Sequence, residues 1–234
     1  MPEQKKESAK QRFIAIIEQQ ILSGELAVDQ KLPPERELAE KTGVSRVTVH
    51  AALLEMATKN VLRIIPRQGT YVNNFKKEGT LELYGALLQY TGEFDRDLLE
   101  SLTEYREIIE TTAAQKAAVF RTSDDVAQMR MLLAKERKAQ NPEDAAALDY
   151  QMHLLIAKAS GNIMLPMTLR SIEAMYISLV LRFYELLEDR SVVRDFHSQL
   201  ISSIDQGEGE KARSIMKTML DHGRQVLTSK RQKR

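Results

Sequence analysis

The 234-residue chain is 43% hydrophobic and 29% charged, which suits a soluble protein with a sizeable core in one large or two modest domains. It has no Cys, which excludes a disulfide framework, a thiolate metal site and a cysteine nucleophile. The net charge of +1 is unevenly spread: residues 1–77 carry 13 Lys/Arg against 9 Asp/Glu, residues 78–229 carry 17 against 24, and residues 230–234 add four cations. A basic front on an acidic body points to an N-terminal domain that binds a polyanion. The polar first ten residues do not read as a secretory signal, and no apolar run reaches the ~18–20 residues of a membrane span, so a cytoplasmic protein with no membrane partner is expected.

In chain order, residues 8–23 place Phe13, Ile14, Ile17, Ile21 and Leu22 at helical spacing, with Gly24 as the stop. Two shorter helices are expected over 35–41 and 45–58, separated by Thr42, Gly43 and Val44. Residues 61–65 and 70–73 are short and β-branched around Pro66, Arg67, Gln68 and Gly69, a hairpin pattern. Three helices and a hairpin form a winged helix over 1–74, and 75–80 read as a linker. From 81 to 230 the chain reads as helix throughout, an all-α bundle, with a basic tail at 231–234. Its segments are 81–90, 95–121, one opened by Ser123, one capped by Asn141 with Pro142 at its first position, then 162–188, 191–205 and 208–229. The face of 95–121 expected inside runs Leu98, Leu102, Tyr105, Ile109, Ala113, Ala117. Six methionines (Met129, Met131, Met152, Met164, Met167, Met175) read as core filler. The fold class is therefore mainly α.

In the second and third helices, Leu38, Ala39, Val49, Leu53 and Ala57 face inward and Gly43 permits the tight turn. Ser45 can cap the third helix. Ser45, Arg46, Thr48 and His50 then lie on the outer face of its first turns, the part of a helix-turn-helix that enters the major groove. Arg46 can bind guanine edges, Ser45 and Thr48 can reach phosphates or bases, and Arg36 can hold the backbone or a base. A helical hairpin with solvated charges is the plainer alternative.

The residues Leu32, Pro33, Glu35, Arg36, Leu38, Ala39, then Gly43, Val44, Ser45, Arg46, Thr48, Val49, then Gly69, Thr70, Tyr71, Val72 closely resemble the winged helix of the GntR family of bacterial transcription regulators. The resemblance covers residues 10–74 and implies binding to double-stranded DNA, with Arg67 and Gly69 of the wing joining the contact set. His50 stands where the family often has Arg, and Arg67 where its wing often has Gly, which leaves the usual operator sequence open.

Of the four His, three fall in the acidic body: His153, His197 and His222. Asp149 and His153, four apart, share a helix face and can chelate one ion, which His from other helices could complete. A surface pair and separately satisfied histidines are the bland alternative. The body also resembles the all-helical FCD effector domain of the FadR-like branch. Arg106 and Glu110, Asp149 and His153, His197, His222 and the turn at Gly161 and Asn162 match its hallmarks. The resemblance implies a divalent metal on Asp149, His153, His197 and His222, and an effector site including Arg106 and Asn162. Three imidazoles and a carboxylate suit Zn, Ni, Mn or Fe, with Zn favoured. A small carboxylate effector could pair with Arg106, although Arg106 and Glu110 could also be an ordinary helix ion pair.

These features are expected to make a homodimeric DNA-binding regulator, a repressor in the simplest form, that reads a palindromic operator under effector control. A regulator answering to the metal itself, or to an acyl effector without metal, is the alternative. A helical metalloenzyme is the remoter one, since no spare Glu or His stands out as a general base.

Overall fold

The computed structural model describes residues 8–79, 81 and 96–229. Of the helix expected over 81–90, residues 82–90 lie outside the described residues, as does the tail at 231–234. The chain divides into two compact units, 1–91 and 92–234.

In the first unit, α1 (Ala9–Leu22), α2 (Glu35–Thr42) and α3 (Arg46–Thr58) precede the antiparallel strands β1 (Leu62–Ile65) and β2 (Gly69–Val72). α1 begins at Ser8, whose hydroxyl accepts from the Gln11 amide while the Gln11 side chain accepts from the Ser8 amide. α2 ends at Gly43, whose φ of 67° is open to glycine at little cost. Ser45 caps α3 by accepting from the Thr48 amide. Both α1 and α2 pack on α3, around Phe13, Ile17, Leu38, Val49, Leu53, Met56, Leu62 and Val72. Ala52 and Met56 complete the buried stripe of α3; Ala57 is only half-buried. Burying a side chain such as Leu53 or Met56 contributes about 1.5–3 kcal/mol, so this stripe fixes how α3 is presented.

The wing has a third partner. The amide of Leu32 donates to Thr70, that of Val72 to Gln30 and that of Asp29 to Val72, so the segment before α2 lies along β2. Gly69 sits where a Cβ would come within 2.8 Å of Lys31 Cε, and its φ is 127°. Within the stretch read as a linker, residues after β2 form a helical turn, α4 (Phe75–Glu78). The Lys77 and Glu78 amides donate to the Asn74 carbonyl, and Glu78 accepts from the Asn73 side chain.

The second unit contains α5 (Arg96–Phe120), α6 (Ser123–Glu136), α7 (Pro142–Ala159), α8 (Met164–Ser171), α9 (Glu173–Leu186), α10 (Ser191–Asp205) and α11 (Gly209–Ser229). Thr122, one residue before Ser123, caps α6. Asn141 and Pro142 start α7 as expected. Central α5 meets α7, α10 and α11, and α7 also meets α6 and α9. The single helix expected over 162–188 is two helices bent by 70°. Hydroxyls of Thr168 and Ser171 bond carbonyls three residues back, beside Ile172, whose ψ of 11° turns the chain and whose side chain is buried. No single described helix is long and apolar enough to cross a membrane. Met129, Met152 and Met175 are core residues, whereas Met131, Met164 and Met167 are exposed.

The inward face of α5 also differs from expectation. Leu99, Leu102, Thr103, Arg106, Glu110 and the alanines at 113, 114, 117 and 118 are buried, while Tyr105 and Ile109 are half-buried. A charged pair therefore occupies the middle of a face that hydrophobicity assigns to its neighbours.

Candidate DNA-reading surface and metal centre

The exposed first turns of α3 carry Arg46, Val47 and His50, with Ser45 at the cap. Ser45 and Thr48 engage each other, their hydroxyl oxygens 2.8 Å apart. Arg46 and His50 converge on a residue that sequence reasoning left out of the site, Glu35, the first residue of α2. Its Oε1 accepts from His50 Nδ1 at 2.8 Å, and its Oε2 lies 3.8 Å from Arg46 Nε. Val47 was also missed; at 81% exposed it is an apolar group beside the polar ones, suited to a thymine methyl. Arg36 is exposed and 3.7 Å from Glu40. Arg67 occupies the wing tip with φ 64°, a left-handed backbone that costs a non-glycine residue roughly 1–2 kcal/mol. Gly69 is half-buried at the start of β2, where Lys31 crosses it.

In the helical unit, Asp149 and His153 on α7 meet His197 on α10. One ligand atom from each lies within 4.8 Å of the others, and all three residues are buried. His153 Nδ1 donates to Glu110, and His197 Nδ1 donates to Glu136 Oε2 at 2.9 Å. In the neutral ring, a carboxylate on Nδ1 leaves the lone pair on Nε2. The two Nε2 atoms face each other at 3.4 Å, and Asp149 Oδ1 lies 3.8 Å from that of His153. Asp149 is held in turn by the hydroxyls of Tyr176 and Tyr184, at 3.2 and 3.3 Å.

Arg106 donates to Glu110 at 2.6 Å and to the Tyr176 hydroxyl at 2.7 Å, with its guanidinium 4.0 Å from the Tyr176 ring centre. Burial pushes the Glu110 carboxyl up, but Arg106 and His153 more than offset this and hold it at about 2. Burial drives the His197 ring toward its neutral form; the Glu136 hydrogen bond and charge, with Asp149 and Glu110, reverse this and raise its pKa. Burial raises Tyr176 and Tyr184, which keeps them as donors to Asp149. Three carboxylates (Glu110, Glu136, Asp149), one guanidinium and two imidazoles share this interior. A divalent cation among the converging donors would take the place of a second proton on the imidazoles.

His222 on α11 is outside the group of three but lines the same cavity as Arg106, Asp149 and His153. Its Nε2 is buried without a hydrogen-bond partner among the described residues. The cavity holds about 40 Å³, room for an ion with water. Asn162 does not line it. Its Oδ1 accepts from the Met164 amide in the turn before α8, a local structural role. Glu136, Tyr176 and Tyr184 were not legible as site residues.

Two family models match the chain: bacterial regulatory proteins of the gntR family over residues 9–72, and the FCD domain over residues 101–222. A fatty acid metabolism regulator protein of Salmonella paratyphi C is 31% identical over 75% of this chain and 72% of its own length. The Uxu operon regulator of Haemophilus influenzae is 26% identical over 88% of this chain and 76% of its own. Among solved structures, Lar of Listeria monocytogenes, described as controlling expression of the agr system, aligns with a TM-score of 0.66 at 19% identity. That alignment covers 95% of this chain and 97% of Lar, and supports the fold.

Proposed function

Because the chain belongs to the GntR family of bacterial regulatory proteins and carries an FCD domain, we propose that its DNA affinity is set by a small organic acid bound at a divalent metal in the helical unit. It is a DNA-binding transcription regulator, not an enzyme. In this reading it is a cytoplasmic homodimer that represses from a palindromic operator, one reading helix per half-site. Arg36, Ser45, Arg46, Thr48, His50, Arg67 and Gly69 form the contact set.

One observation carries the metal. Two histidine Nε2 atoms and an Asp149 oxygen converge in a buried site, with Glu110 and Glu136 behind the two rings. Asp149, His153, His197 and, from the cavity wall, His222 would hold the ion. Such an ion supplies a Lewis-acidic position for a carboxylate, with Zn the favoured identity. Glu110 and Glu136 orient the two imidazoles, the supporting role such carboxylates play at histidine-ligated metals. Because Arg106 already serves Glu110 and Tyr176, an effector carboxylate would share its guanidinium.

A cavity of about 40 Å³ is too small for an acyl chain as it stands, which favours a compact ligand. Admitting even a small acid requires its walls to move. Ligand can change operator affinity only by favouring one arrangement over another.

The test is elemental analysis of the purified full-length chain, followed by operator titration of metal-loaded protein with and without a panel of small carboxylic acids. One ion per chain, and release of DNA by an acid only in the loaded protein, are expected. Absence of stoichiometric metal after reconstitution overturns the reading.

A further inference from the structure

Glu35 opens α2, yet both its oxygens face the reading helix: Oε1 meets His50 Nδ1 at 2.8 Å, and Oε2 lies 3.8 Å from Arg46 Nε. A carboxylate oxygen only accepts, so the proton in the first contact sits on Nδ1 of His50. In a neutral imidazole that leaves Nε2 as a bare acceptor. The His50 side chain is 57% exposed, among the first turns of α3, so Nε2 is the polar atom it can offer to a base edge.

We propose that Glu35 is a positioning residue for base selection. By fixing the Nδ1–H tautomer it makes His50 accept a hydrogen bond from an exocyclic amino group, cytosine N4 or adenine N6. In the major groove those amino groups are donors, whereas guanine O6 and N7 and thymine O4 are acceptors. A bare Nε2 set against guanine brings lone pair against lone pair. An arginine at the same position has only donors and prefers guanine. The Glu35–His50 contact thereby changes the half-site sequence this chain accepts, and does so from a residue that need not touch DNA. The proposal rests on the reading that the first turns of α3 enter the major groove.

The test is selection from a random DNA library with the full-length chain at about pH 8, followed by sequencing of the bound pool. His50→Arg locates the base: one position per half-site moves from cytosine or adenine in the wild type to guanine in the variant. Glu35→Lys is the decisive protein. Its ammonium has only donors, so it cannot hold the ring proton on Nδ1, and the preference for cytosine or adenine at that position should fall at least about tenfold. A tie that merely joined α2 to α3 would alter the melting temperature and leave the preference intact.

A Glu35→Lys pool with the wild-type preference at that position overturns the proposal, as does wild-type selection of guanine there. If Arg46→Ala and His50→Arg both keep wild-type operator affinity and preference, the reading of α3 itself falls. That outcome is distinct from a failure of the Glu35 assignment alone.

Discussion

The two units handle charge in opposite ways. The winged helix surrounds an apolar core with cations that stay exposed; Arg36, Arg46 and His50 reach only surface carboxylates. The helical unit takes Arg106, Glu110, Glu136, Asp149, His153 and His197 inside. A charge at the surface remains available to a partner that arrives from solution, and removing it costs the fold little. A charge in the interior depends on each neighbour, and removing one leaves the others unbalanced. The difference separates a module whose charges face solution from one whose charges face one another.

The largest break in that contrast comes from His197→Ala. It strands Glu136 without its donor and removes a convergent nitrogen, so the helical unit should lose about 3–5 kcal/mol. In thermal melts, a chelator should lower the wild-type transition and leave the variant's unchanged, because bound metal stabilises only the folded state. A wild-type transition indifferent to chelator would mean that protons, not an ion, balance the interior.

Next is Glu110→Gln, which leaves Arg106 and His153 without their carboxylate. The folded pKa of Glu110, about 2, lies below its ordinary 4.5. Its contribution is thus present above pH 4.5 and is lost as pH falls from there toward 2. The shift corresponds to at most about 3 kcal/mol. Denaturant titrations at pH 7 and pH 3 should show the variant weaker at the higher pH, with the gap narrowing at the lower.

On the surface side, Arg46→Ala should weaken specific operator binding by about 1–3 kcal/mol while the melting temperature stays put. Smallest in stability is Arg36→Ala, within about 0.5 kcal/mol, because its pair with Glu40 is solvated. Its operator affinity should still fall, and the salt dependence of binding should become shallower. A large stability loss from either arginine would erase the distinction between the units.

What the sequence made legible follows the same division. Ser45, Gly43, Asn141 and Pro142 act within one turn of where they sit, so their roles could be read locally. Asp149 and His153 share a helix face for the same reason. Glu136 could not be read: it lies between Lys135 and Arg137 at the end of α6 and looks solvated. Its partner, His197, is 61 residues away. Tyr176 and Tyr184 pass for core aromatics until Asp149 is placed beside them. On α5, ranking residues by hydrophobicity favoured Tyr105 and Ile109 over Arg106 and Glu110, because burial of an ion pair depends on tertiary partners that no helical period encodes. The bend at Ile172 was hidden because neither Gly nor Pro stands at it.

The strip of chain at 29–32 that lies along β2 makes the wing a poor unit for transplantation. Leu32 and Val72 exchange hydrogen bonds with the opposite segment, and Gly69 is shaped to Lys31. A chimera that imports a relative's 62–72 hairpin alone would inherit one half of a fitted seam. Its amides at 32 and 72 would lose protection from hydrogen exchange together, and the lead into α2 would loosen with them. Hairpin and lead-in have to change hands as a pair, which ties any drift in the wing to compensating drift some forty residues earlier.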